Sequence, residues 1–240
     1  MATIRPLKQI FLSQVTGEIP VDTPIVFWDT CSLIYILTIA VRESFADFQH
    51  YKDLLGWIER DEIVSATSSI VWNEFNDHYS EEYHKAEEDV DKLRMLIRNY
   101  ASLQQELART NLNDLAASMN VIDILEELES RVWGKTVVIK EERYLADLAH
   151  YRVLHKWSPS MVKDQYKDAY IWCTFMSVSQ KMSKVKKFFM TDNKEDYCVS
   201  KRNMRLQEQI ASDCTTVGAE ILFNIGSLRG KVYQALNPVP

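Results

Sequence analysis

The chain has 240 residues, 46% hydrophobic and 26% charged, with only 6 Gly and 6 Pro; this supplies a large core and excludes intrinsic disorder, collagen and a disulfide miniprotein. Its 28 basic against 34 acidic residues leave a net charge of −6, which excludes coating of nucleic acid by bulk attraction but permits a local basic groove beside an acidic site. Four scattered cysteines without CxxC or zinc spacing, no signal-peptide pattern and no apolar run of roughly 18 residues point to a reduced, cytoplasmic protein without a membrane span.

In chain order, the β-rich apolar run from Thr23 to Trp28 stops abruptly at Asp29-Thr30, as a strand buried on both faces of a parallel sheet does. Leu33, Ile34, Leu37 and Val41 then keep helical spacing, and Ser44 can cap a second helix carrying Phe45, Phe48, Leu54, Leu55 and Ile58. A short strand is expected at Ile63 to Ala66, followed by a helix from Ser68 through Val71, Glu74 and Phe75. From about Glu81 to Trp157, almost free of Gly and Pro, the periodicity predicts a block of helices inserted between strands. Ser158-Pro159 is expected to start a helix bearing Asp164, Asp168, Ile171, Trp172 and Phe175. Phe188 to Met190 is a further buried strand, ending at Thr191-Asp192-Asn193. A helix over about 201–212, a strand at 214–217 and a last helix over 219–236 complete the alternation. That alternation predicts a single, helix-rich α/β domain over residues 1–240, with a central parallel sheet and ligand chemistry at the carboxyl ends of its strands.

Two such strands end in an acid beside a threonine, Asp29-Thr30 and Thr191-Asp192. An aspartate there is also an ordinary helix N-cap, but the acids on the intervening helices favour a shared site. Glu74 follows the second strand among large apolar neighbours. Asp164 and Asp168 share one face of a helix at spacing i,i+4, where like charges repel unless a cation, or Lys163 or Lys167, relieves them. Carboxylates gathered from distant segments suit Mg²⁺ or Mn²⁺, hard cations that prefer oxygen and can activate water.

The order of these motifs resembles the PIN-domain nuclease family: Asp29-Thr30, then Glu74, then Lys163-Asp164-x-x-x-Asp168-Ala169, then Thr191-Asp192-Asn193-x-x-Asp196-Tyr197. The resemblance covers about residues 24–78 and 158–220. It implies a three-layer PIN-like fold with a helical insertion at about 81–157. It also implies catalytic Asp29, Glu74, Asp168 and Asp192, with Asp164 and Asp196 joining them around Mg²⁺ or Mn²⁺, and Thr30, Thr191 and Asn193 in support. Asn193 stands where the family often has an acid. The activity implied is metal-dependent hydrolysis of phosphodiester bonds, usually in single-stranded RNA, although the residues themselves do not choose RNA over DNA. Many relatives are toxins held by an antitoxin, so an inhibitory protein partner and a homo-oligomer are open possibilities.

Lys184, Lys186, Lys187, Lys201 and Arg202, with Lys194 and Arg205, form the densest basic group and are expected to track phosphates. Three other readings compete. A haloacid-dehalogenase phosphatase needs an acid two residues after Asp29, where Cys31 stands; a nucleotide-binding regulator needs a glycine-rich loop, which is missing. A catalytically inactive PIN-like scaffold, with the insertion as an interaction surface, is the remaining alternative.

Overall fold

The computed structural model describes residues 8–39, 45–108, 121–160, 165–200, 202 and 204–238. Its centre is a six-stranded, all-parallel sheet in the order β1-β4-β3-β2-β5-β6. The strands are β1 Lys8–Ile10, β2 Ile25–Trp28, β3 Val64–Ser68, β4 Val137–Ile139, β5 Lys187–Met190 and β6 Ala219–Leu222. Around them run α1 Val15–Glu18, α2 Thr30–Thr38, α3 Phe45–Glu59, α4 Ser69–Ala108, α5 Val121–Lys135, α6 Arg143–Leu154, α7 Tyr166–Lys181, α8 Lys194–Tyr197, α9 Glu208–Val217 and α10 Ile225–Leu236.

Successive residues of β2 bury on opposite faces of the sheet, because side chains alternate along a strand. Phe27 meets Phe175 of α7 and Phe189 at centroid distances of 5.6 and 6.1 Å, whereas Trp28 stacks on Tyr51 of α3 at 6.3 Å. Helices therefore cover both faces, one layer with α3 packed on α10 and the other with α6 and α9 packed on α7. From β2 the chain builds outward to β3 and β4, then crosses back to place β5 on the other side of β2. The carboxyl ends of β2 and β5 thus flank the point where the winding reverses, which is where open α/β sheets bind ligands.

Several sequence expectations need correction. The block at 81–157 is not wholly helical: Val137–Ile139 forms β4, paired with β3 on one side and with β1 on the other. Ser158-Pro159 does not open a helix; Ser158 is buried in a loop and α7 begins at Tyr166. The segment 214–217 ends helix α9 instead of forming a strand, because Gly218 takes the left-handed conformation (φ 64°) that closes a helix, and β6 follows at once.

Two buried polar features lie away from the sheet edge. Arg152 donates to the Ser158 carbonyl at 2.8 Å and pairs with Asp213, which also accepts from the Trp172 indole at 2.9 Å. Glu129 of α5 is fully buried near Trp133 and Tyr79, and neither of its carboxyl oxygens has a hydrogen-bond partner. Burial, reinforced by the charge of Glu126, pushes its pKa up to about 8.

Candidate active site

Asp29 leaves β2 in extended conformation and becomes the N-cap of α2, its Oδ1 accepting from the Thr30 backbone N–H at 2.7 Å. Its other oxygen accepts the Thr191 hydroxyl at 2.7 Å and the Cys31 thiol at 3.3 Å. Thr191 continues directly from β5, and the Asp29 N–H donates to the Met190 carbonyl at 3.0 Å, so the two strand ends are tied together. Ser32 reinforces the junction by donating its hydroxyl to the Met190 carbonyl at 3.0 Å.

Glu74 comes from the start of α4. Thr30 donates its hydroxyl to Glu74 Oε2 at 2.7 Å, and Lys167 places its ammonium 3.1 Å from Oε1. Asp168 lies in the first turn of α7 and Asp196 within the short α8. Asn193, the residue before α8, donates its side-chain amide to Asp196 and its backbone N–H to Thr191 Oγ1 at 3.0 Å.

The electrostatics show which acids share a field. Asp168 is raised to about 7, first by burial and then by Asp29, Asp196 and Glu74, with Lys167 opposing. Asp29, 5% exposed, is also raised by burial, and its hydrogen bonds from Thr191, Cys31 and Thr30 counteract only part of this. Burial and the neighbouring Asp29 push the Cys31 thiol far up, so it acts as a hydrogen-bonding group and not as a nucleophile.

Asp29, Glu74, Asp168 and Asp196 are therefore brought together, with Thr30, Thr191 and Asn193 in hydrogen-bonding contact with them. Asp192 is not part of that group. The tight turn after β5 leaves it exposed, lining a cavity of about 130 Å³ with Ser32, Tyr35, Asp47, Tyr51 and Asn224. Asp196, expected beside Asp192 among the metal-holding acids, is the acid of this segment whose charge acts on Asp168. Asp164 and Lys201 lie outside the described residues.

The basic group divides. Lys184 and Lys186 are exposed, but at the amino end of β5, across the sheet from the carboxylates. Lys187 is 2% exposed and donates to the carbonyls of Val217 at 2.6 Å and Ser183 at 3.3 Å. It is thus a structural lysine with no access to a phosphate, and burial lowers its pKa. Arg202 is exposed, and on either side of it in the chain Cys198 and Leu206 are joined by an isolated antiparallel bridge. The Arg152–Asp213 pair, which bears on this region through Ser158, was missed in the sequence because its members are 61 residues apart.

The four carboxylates supply an all-oxygen donor set, which is the chemistry that Mg²⁺ or Mn²⁺ requires. Among the described residues, no three His, Cys, Asp or Glu side chains converge tightly enough to enclose an ion. The family model described as the PIN domain matches residues 26–197. The chain belongs to the PIN-domain family. The match runs from β2 to α8 and includes Asp29, Glu74, Asp168, Asp192 and Asp196. PIN domains are generally nucleases, and those nucleases generally use Mg²⁺ or Mn²⁺. No curated protein and no solved structure gives a significant match, and among the described residues no helix is long and apolar enough to cross a membrane.

Proposed function

We propose that this PIN domain is a metal-dependent endonuclease that hydrolyses phosphodiester bonds in single-stranded nucleic acid, RNA first. The observation that carries the reading is the placement of Asp29, Glu74, Asp168 and Asp196 at the winding-reversal edge of the sheet, where burial and mutual repulsion raise Asp168. Negative charge concentrated without compensation is costly to folding, so a cluster of this kind is readily explained by a cationic ligand. These four side chains would hold Mg²⁺ or Mn²⁺; the bound ion would supply activation of water and neutralisation of charge on the scissile phosphate. Thr191 and Thr30 hold the Asp29 and Glu74 carboxylates in fixed orientations through hydroxyl donors. Lys167, whose side chain is 61% exposed beside Glu74, would be placed to meet a phosphate oxygen.

The test is incubation of purified protein and of Asp29→Asn with labelled single-stranded RNA and DNA, in Mn²⁺, in Mg²⁺ and in chelator. Cleavage by the parent in metal, lost in chelator and in Asp29→Asn, is the expected result. Binding of nucleic acid with no cleavage under any condition would leave the inactive scaffold as the better description.

A further inference from the structure

The end of α6 carries a group of rings that the carboxylate site does not use. Tyr151 and Trp157 are 50% and 37% exposed, and His155 is exposed between them. Their centroids lie 4.1 Å apart for Tyr151 and His155, 5.5 Å for Tyr151 and Trp157 in an edge-on contact, and 5.7 Å for His155 and Trp157. Aromatic faces are strongly stabilised by burial, so three exposed rings in mutual contact leave that stabilisation unused in the free protein.

The rings are rigidly supported, and the support leads to the acidic site. The backbone N–H of Trp157 donates to the Arg152 carbonyl at 3.0 Å, and that of Ser160 to the Trp157 carbonyl at 2.9 Å. Buried Arg152 holds the Ser158 carbonyl and pairs with Asp213. Ser158 in turn donates its hydroxyl to the backbone carbonyl of Asp196. One polar chain thus fixes both the rings and a site acid. Beside Trp157 opens a groove of about 680 Å³ lined by Lys156, Glu195, Val199, Gln207, Glu208 and Gln209.

The lining selects the occupant. An apolar peptide face or an acyl chain would strip water from the Glu208 carboxylate and the Lys156 ammonium without replacing their hydrogen bonds. An unpaired nucleobase offers a π face to the rings and N–H donors to the Glu208 carboxylate, while its phosphate is drawn to Lys156. Base–aromatic stacking of this sort is how single strands are held without a requirement for one sequence.

We propose that Tyr151, His155 and Trp157 form a stacking ledge for unpaired bases of a single-stranded nucleic acid, and that the strand runs from this ledge toward the carboxylates. The proposal rests on the nuclease reading, whose substrate it places. The test is fluorescence anisotropy with labelled single-stranded oligonucleotides in the Asp29→Asn background, comparing Trp157→Ala, Tyr151→Ala and Trp157→Phe, with a duplex and an abasic oligonucleotide as further probes. Melting curves establish that each variant is folded. Affinity should fall on the order of tenfold in Trp157→Ala, since stacking contributes about 1–3 kcal/mol per base. It should be largely kept in Trp157→Phe, and the abasic strand should bind the parent as weakly as the normal strand binds Trp157→Ala. Equal affinity of parent and Trp157→Ala, or of single strand and duplex, overturns the ledge. If that happens while the Asp29 protein still cleaves in metal, the nuclease reading stands alone; Trp157-dependent binding without cleavage leaves the ledge and removes the nuclease. Absence of both binding and cleavage overturns both.

Discussion

Replacing Asp168 by Asn should make the protein more stable, and by an amount that depends on pH. The carboxyl titrates near 7 in the folded chain against an ordinary 3.8. Between those values the native state keeps a proton that the unfolded chain has released, so stability falls as pH rises through this window and is flat above it. At about 1.4 kcal/mol for each pH unit, the displacement sets a ceiling near 4 kcal/mol. Asp168 is only half-buried, and solvent screening reduces the expected gain for Asp168→Asn to about 2 kcal/mol at pH 8. For a chain of this length that is a rise of about 4–8 °C in Tm. The assay is thermal unfolding followed by circular dichroism from pH 5 to pH 8, in chelator so that no divalent cation offsets the repulsion. The advantage of the variant should be small at pH 5, grow to pH 7 and then level off. An Asn variant less stable than the parent at pH 8, or a gain independent of pH, would refute the idea that burial and its acidic neighbours disfavour the Asp168 carboxylate.

Glu129→Met should remove a comparable pH dependence from the α4–α5 contact: the parent loses stability between pH 4.5 and about 8 as the unfolded chain releases the proton that buried Glu129 keeps, and the variant does not. Parallel stability–pH curves for the two proteins would contradict this. Arg152→Met should cost about 3 kcal/mol in urea denaturation, because it leaves Asp213 charged and nearly buried and the Ser158 carbonyl without its donor; a loss below about 1 kcal/mol would show the pair to be dispensable. Mn²⁺ at a hundredfold excess over its dissociation constant should stabilise the parent by about 2.7 kcal/mol, read as a rise in Tm, and Asp29→Asn should lose most of that rise. An unchanged melting curve in millimolar metal would count against the metal site.

What was readable in the sequence followed from patterns that are local and physically redundant. The β2 run ends at Asp29 because a strand buried on both faces must be apolar throughout, and the first polar residue marks the sheet edge. The same logic placed Thr191 after β5. Strands β1 and β4 escaped because three residues are too few to establish a period, and Val137-Val138-Ile139 follows α5 after the single residue Thr136. Gly218 was the available signal for the end of α9, and attention to it would have moved the last strand to Ala219. Asp192 and Asp196 were separable only by the path of the turn after Thr191, which depends on Cys31 accepting the Asp192 N–H and on Asn193 turning back to Thr191. Lys187 looked like a surface cation because nothing in its neighbours reveals that two carbonyls await its ammonium.

The position of β4 decides how this protein can be shortened. Val137–Ile139 is the sole bridge between β3 and the edge strand β1, so excising the whole 81–157 segment would orphan the amino-terminal strand and uncover the apolar side of β3. Trimming is a different matter. On α4 the last buried residue among those described is Val90, and the helix runs on to Ala108 with Leu93, Met95 and Leu96 exposed. A graft that joins α4 just beyond Val90 to the start of α5 by a flexible linker removes no residue that is buried among those described, and the linker's loop-closure entropy grows only slowly with its length. β4 has to be kept, and the stretch of α4 beyond Val90 is the part that can be shortened.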